Sequence, residues 1–204
     1  MHKFNPKIHH RRSIRLKGYD YAQPGFYFVT ICVQDRLHLF GKIHDGVMVS
    51  NEAGQMIEKW YFELAEKYPD KKCHEMIVMP NHFHCIIENM DVSQPGADAH
   101  DRPQGAHVGA PLRGRPDHHP DTPSPYGPEN KKYHATVGDA MDWFKTMTTN
   151  EYIRGVKNEG WERFNGKLWH RNYWEHIIRT EMAYHDISNY IVNNPKNWNK
   201  DSFF

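Results

Sequence analysis

The sequence predicts an α+β fold in which helices pack on an antiparallel sheet, and two observations carry that prediction. Runs of aromatic and β-branched residues stand between turn residues, first at Phe26-Tyr27-Phe28-Val29-Thr30-Ile31-Cys32-Val33 and again across residues 72–88. Three other segments repeat their apolar residues every three to four positions, the helical period. A chain of 204 residues can bury one good core, so a single domain over 1–204 is expected.

The chain opens on a basic arm. Lys3, Lys7, Arg11, Arg12, Arg15 and Lys17 fall within residues 1–17, which contain no acid. Such an arm is either a solvated tail or a contact for a phosphate backbone. Residues 18–25 read as a turn, and residues 26–33 as a central strand without a breaker. Residues 37–42 and 47–49 form a short hairpin about Asp45-Gly46. Ser50 or Asn51 then caps a helix to about residue 67, whose Met56, Trp60, Leu64 and Tyr68 make an apolar stripe. Residues 72–79 and 82–88 are two strands joined tightly at Pro80-Asn81.

Residues 91–132 change character, being crowded with Pro, Gly, Asp and His, and read as a flexible surface insertion. The histidines in and beside it, His100, His107, His118, His119 and His134, lack ligand spacing and read as solvated. A helix follows over residues 135–157, with Val137, Met141, Phe144 and Met147 on one side and Lys145 on another, and Gly160 closes it. Residues 168–179 read as extended. Thr180 caps a last helix to about Asn194, stopped by Pro195.

Composition narrows the function classes. Lys and Arg number 26 against 25 Asp and Glu, so net charge names no partner. The three cysteines, Cys32, Cys73 and Cys85, make no C-x-x-C pair and sit in apolar runs, which points to a reducing cytoplasm. No apolar run approaches about eighteen residues and no signal-peptide core is present, so a cytoplasmic protein with no membrane partner is expected.

Two constellations carry chemistry. In Met79-Pro80-Asn81-His82-Phe83-His84, strand alternation turns His82 and His84 to one face, where two ring nitrogens can hold a divalent metal and leave its other positions open. The bland alternative is two solvent-facing histidines among the sixteen of the chain. On the last helix Tyr190 and Asn194 are four residues apart and share a face, with Ile187 and Ile191 beside them as anchors. If that face lies over the histidine strand, Asn194 can offer a third ligand oxygen and Tyr190 can face the open side of the metal. Because Asn194 precedes proline, Asn193 is the alternative. A phenol is a poor nucleophile and needs a strongly polarised phosphoryl group, which bound Mg²⁺ or Mn²⁺ supplies. Otherwise Tyr190 is a packed or interfacial tyrosine.

Taken together, the run Arg11-Arg12-Ser13-Ile14-Arg15-Leu16-Lys17-Gly18-Tyr19-Asp20-Tyr21 with Pro24-Gly25 and the first strand, the Met79 to His84 motif, Trp174-Glu175-His176 and Tyr190-Ile191-Val192-Asn193-Asn194-Pro195 closely resemble the REP-associated tyrosine transposases, a branch of the single-tyrosine HUH endonucleases. The resemblance runs from about residue 11 to residue 198 and departs from the family in the long insertion. It implies a ferredoxin-like HUH fold and a metal-dependent transposase that cuts and rejoins single-stranded DNA near REP-like hairpins through a 5′-phosphotyrosine. By position His82 and His84 match the metal pair, Tyr190 the nucleophile and Asn194 the polar residue one turn later. Glu175 and His176 match a recurrent triplet and belong to the site or its surroundings. Arg11, Arg12, Arg15, Lys17 and Lys145 would contact DNA, and Tyr19, Tyr21 and Trp198 would stack on unpaired bases. Such a protein works as a monomer or homodimer. Two other classes stay open: a non-catalytic DNA or RNA hairpin-binding protein, and a metal-dependent phosphoesterase in which water attacks.

Overall fold

Four strands make the central sheet in the order β4-β5-β1-β6, with every neighbouring pair antiparallel. They are β1 (Gly25–Cys32), β4 (Lys71–Met79), β5 (His82–Asn89) and β6 (Trp174–Ile178). Among the described residues there are also a separate hairpin, β2 (Gly41–His44) with β3 (Val47–Ser50), three α-helices, α1 (Glu52–Lys67), α2 (Val137–Asn158) and α3 (Glu181–Asn193), and two short 3-10 segments. This is an α+β arrangement consistent with a ferredoxin-like one. The computed structural model describes residues 16, 18–91 and 131–200; the basic arm with Arg11, Arg12, Arg15 and Lys17, and nearly all of the insertion, lie outside them. Among the described residues no helix is long and apolar enough to cross a membrane.

Alternation divides the sheet into two faces. Tyr27, Val29 and Ile31 of β1, with Phe83, Cys85 and Ile87 of β5, are fully buried in one core with α1 and α2. There Phe83 stacks on Phe144 at 5.2 Å between ring centroids and meets Tyr61 edge-on at 5.4 Å. The opposite face carries Phe26, Phe28 and Ile86, against which α3 lays Ile187 and Ile191. Each helix begins at the polar residue the sequence offers. Asn51, not Ser50, accepts from Gly54 N at 2.9 Å; Thr136 and Asp139 close a reciprocal capping box; and Thr180 accepts from Ala183 N. Each such cap is worth about 1 kcal/mol.

Two elements differ from expectation. The first hairpin strand begins at Gly41 rather than residue 37, because Leu39 and Phe40 turn into the core. Gly41, at φ 138°, lets the strands close, since a Cβ there would collide with the Val49 carbonyl oxygen. Asp45 (φ 51°) and Gly46 (φ 74°) make the predicted turn. The extended reading of residues 168–179 holds only for β6. Before it, Trp169 bridges Val33 and donates Nε1–H to Thr148 Oγ1 at 2.8 Å, while Lys145 Nζ donates to the carbonyls of His170 and Arg171 at 3.1 and 3.0 Å.

The pairing of β4 with β5 shifts register between Cys73 and Met76. At this bulge the Tyr61 hydroxyl accepts from His74 N at 3.0 Å and donates to the Ile86 carbonyl at 2.6 Å. The bulge also lets both His74 and Glu75 reach one phenol: Tyr184 of α3 donates to Glu75 Oε2 at 2.7 Å and lies 3.1 Å from His74 Nδ1. That junction pins α3 to the sheet.

Candidate active site

β5 starts immediately after the Pro80-Asn81 turn, so its first and third side chains, His82 and His84, stand on the face that α3 covers. Each ring is held by an oxygen. His84 pairs across the strands with Thr30, and their side chains meet at 2.7 Å between Oγ1 and Nδ1. His82 Nδ1 lies 2.8 Å from Asn81 Oδ1. An amide oxygen only accepts, so His82 carries its proton on Nδ1 and keeps a lone pair on Nε2. A hydroxyl can accept as well as donate, so the Thr30 contact is compatible with the same tautomer in His84, with the proton on Nδ1 and the lone pair on Nε2. The ring centroids are 4.5 Å apart. Burial, and then the second imidazole beside it, hold His84 well below the usual histidine range, so it is neutral at physiological pH.

Aromatic side chains wall both imidazoles. Phe28 stacks on His84 at 5.4 Å, and Trp198 stacks on His82 at 5.9 Å. The Tyr190 phenol reaches the pair from α3. Its oxygen lies 3.4 Å from His84 Nε2, and its ring meets Phe28 edge-on at 6.1 Å. One turn later Asn194 is 2% exposed, and its Oδ1 has no hydrogen-bond partner among the described residues. Asn194 keeps helical geometry (φ −55°, ψ −43°) despite the following proline, because the chain continues into a 3-10 turn over Pro195–Lys200. Asn193 faces outward, donating to the Asn189 carbonyl at 2.9 Å and accepting from Lys196 Nζ at 3.3 Å. Asn194, not Asn193, is the amide turned inward.

By donor chemistry, the two adjacent buried imidazoles and the buried amide oxygen of Asn194 are of the kind that fits a divalent cation taking its remaining ligands from water or substrate. Among the described residues no group of three or more His, Cys, Asp or Glu forms a metal cage. A cavity of about 410 Å³ opens beside His84. Phe28, Thr30, Arg36, His84, Trp174, Glu175, His176 and Tyr190 line it. In the sheet register His176 stands opposite Phe28 and therefore on the His84 face; Glu175 stands opposite Val29, so its carboxylate turns to the other face, where both oxygens are buried.

Other sequence expectations fall elsewhere. Lys145 belongs to α2, in the opposite layer, with its ammonium turned to the two carbonyls before β6. The proposed stacking residues Tyr21 and Trp198 are buried, at 9% and 7% exposure, and present no free face; Tyr21 packs on Tyr19 and Tyr27, Trp198 on His82. Four pocket residues escaped sequence reasoning, among them Phe28, which was read only as part of the strand. Thr30 was detectable as the one hydroxyl in the inward row of an aromatic strand. Trp174 was visible only as part of a motif, and Arg36 gave no signal, because the left-handed geometry of Asp35 (φ 59°) and Arg36 (φ 55°) is invisible in composition.

No protein-family model matches the chain. An uncharacterized protein of Haemophilus influenzae (strain ATCC 51907 / DSM 11121 / KW20 / Rd) is 34% identical to it over 205 residues, covering 99% of this chain and 97% of that one. The chain belongs to that protein's family. Among solved structures, a REP-associated tyrosine transposase bound to a REP hairpin aligns with a TM-score of 0.50 and 16% identity, over 92% of this chain and 74% of that one. At that identity the likeness is one of fold.

Proposed function

We propose that this protein is a divalent-metal-dependent, single-strand DNA endonuclease and strand transferase of the HUH transposase type. The observation that carries the reading is the Tyr190 phenol, 3.4 Å from Nε2 of one of two adjacent buried imidazoles. The shared fold of a transposase seen on a hairpin supports a hairpin-bearing single strand as the substrate.

In this reading His82, His84 and Asn194 would hold Mg²⁺ or Mn²⁺, which would withdraw charge from a phosphoryl oxygen and so favour displacement at phosphorus. Thr30 and Asn81 fix both imidazoles with Nε2 inward. Tyr190 Oη attacks phosphorus and the bond to the 3′ oxygen breaks. The phenol proton passes to water, to which the residue is 43% exposed, and the departing 3′ oxygen takes up a proton. The 5′ phosphate then rests on Tyr190, and a 3′ hydroxyl attacking that linkage rejoins a strand. His176 borders the pocket on the same face as His84. Arg11, Arg12, Arg15 and Lys17, from the basic arm, would meet hairpin phosphates.

Mass spectrometry after incubation with a hairpin oligodeoxynucleotide and Mn²⁺ tests this. A protein–DNA adduct that Tyr190→Phe abolishes is expected. Cut DNA without an adduct would mean that water attacks, and uncut bound DNA would mean a binding protein.

A further inference from the structure

The pocket is lined by two side chains, Trp174 and Arg36, with no part in that chemistry. Trp174 is 60% exposed at the first position of β6, an end strand of the sheet. The register lines up Ile77, His84, Thr30 and Trp174 as one row across four strands, so the indole stands on the His84 face two strand spacings away. Two spacings are about 10 Å. Arg36 borders the same cavity from the loop after β1. It ends two consecutive left-handed residues, and its carbonyl lies 3.5 Å from the side-chain nitrogen of Asn81, the residue that also holds His82. Non-glycine residues persist in that geometry where their surroundings hold them there, and such positions gather at functional sites.

We propose that Trp174 and Arg36 form a subsite for one unpaired nucleotide of single-stranded DNA, the indole stacking on the base and the guanidinium meeting a backbone phosphate. Only the placement of that nucleotide beside the attacked phosphate rests on the reading of Tyr190 as the nucleophile. An indole accepts any base face, whereas a base inside a duplex has both faces covered by its neighbours. The subsite therefore selects for unpaired strand rather than sequence. An aromatic surface and a cation in a cavity of about 410 Å³ suit a flat, anionic ligand.

The test uses the full chain carrying Tyr190→Phe, which prevents cutting, and single-stranded oligodeoxynucleotides of randomised sequence with one central 2-aminopurine. Binding is expected to quench the 2-aminopurine. Adding Trp174→Ala should remove most of the quench and weaken binding about tenfold, within the range measured for base–aromatic stacking. Trp174→Phe should restore most of both. Arg36→Gln should lower the slope of log affinity against log salt by about 0.7, one single-strand phosphate contact. Unchanged quench and affinity in Trp174→Ala would overturn the proposal, as would absence of any quench in the parent. Adduct formation by the unsubstituted protein is scored separately. An adduct without Trp174-dependent quench sinks the subsite alone, while quench without an adduct sinks the Tyr190 reading and leaves the subsite standing.

Discussion

The phenol oxygen of Tyr190 lies 3.4 Å from Nε2 of His84, a residue 106 positions earlier in the chain. One lone pair cannot accept a phenol proton and bind a cation at once, so in the proposed reading a cation on this nitrogen would displace the phenol.

Tyr190→Phe is therefore expected to bind Mn²⁺ at least as tightly as the unsubstituted protein. Losing one competing hydrogen bond of about 0.5–1.5 kcal/mol allows a gain of up to about tenfold. His84→Ala should lose most binding. Titration by calorimetry or electron paramagnetic resonance reads both, and weaker binding by Tyr190→Phe would mean that the phenol is itself a ligand.

Thr30 and His84 face each other in the strand register, with Oγ1 and Nδ1 2.7 Å apart. Thr30→Val keeps the shape but removes the oxygen that orients the ring. Groups that hold a metal-binding histidine in this way are worth about 10–100-fold in metal affinity. A loss of that size is expected with the fold retained, and Thr30→Ser should recover it.

Charge partition is testable through salt. Replacing Arg11, Arg12, Arg15 and Lys17 together with Gln should flatten the salt dependence of hairpin binding by about 0.7–0.9 per lost phosphate contact. Lys145→Met should leave that slope unchanged, because its ammonium donates to the carbonyls of His170 and Arg171. Its expected cost is about 1–3 kcal/mol of stability, read by urea unfolding. A slope lowered by Lys145→Met alone would place this ammonium on DNA.

Tyr61 gives a pH signature. Burial, first among its causes, raises the phenol well above its ordinary value of 10.0. A raised folded-state pKa favours the neutral form, so this stability is fully present below about pH 10 and is lost as pH rises through the folded-state value. Unfolding free energy should be level from neutrality to near pH 10 and then fall. Tyr61→Phe strands the Ile86 carbonyl and the His74 amide, so it should cost about 1–3 kcal/mol at neutral pH and show a shallower alkaline decline.

How much was legible depended on how local the cause was. The Thr180 cap, the cap at Ser50 or Asn51 and the Asp45-Gly46 turn are satisfied within a few residues, so residue type alone predicts them, while the Thr136 cap, equally local, escaped sequence reasoning. The β4 bulge is set by its partner strand and by Tyr61 of α1, and no pattern in residues 72–79 announces it. Leu39 and Phe40 follow an extended pattern yet turn into the core, because the hairpin closes only at Gly41. Aromatic content was misleading: Tyr21 and Trp198 looked available for stacking, but both are buried, Tyr21 against Tyr19 and Tyr27 and Trp198 against His38 and His82.

The amino-acid order alone determined that His82 and His84 share one strand face, and that Tyr190 and Asn194 share one helix face. Both follow from backbone periods, which need no tertiary partner. Only the folded chain decided that these two faces meet. Tyr184 binding the bulge at His74 and Glu75, and Ile191 packing against Ile86 and Ile178, set where α3 lies, and with it the distance from the phenol to the imidazole. It also decided that Trp174 and Arg36 share a cavity, because cross-strand register and left-handed loop geometry arise from contacts that no short stretch of sequence contains.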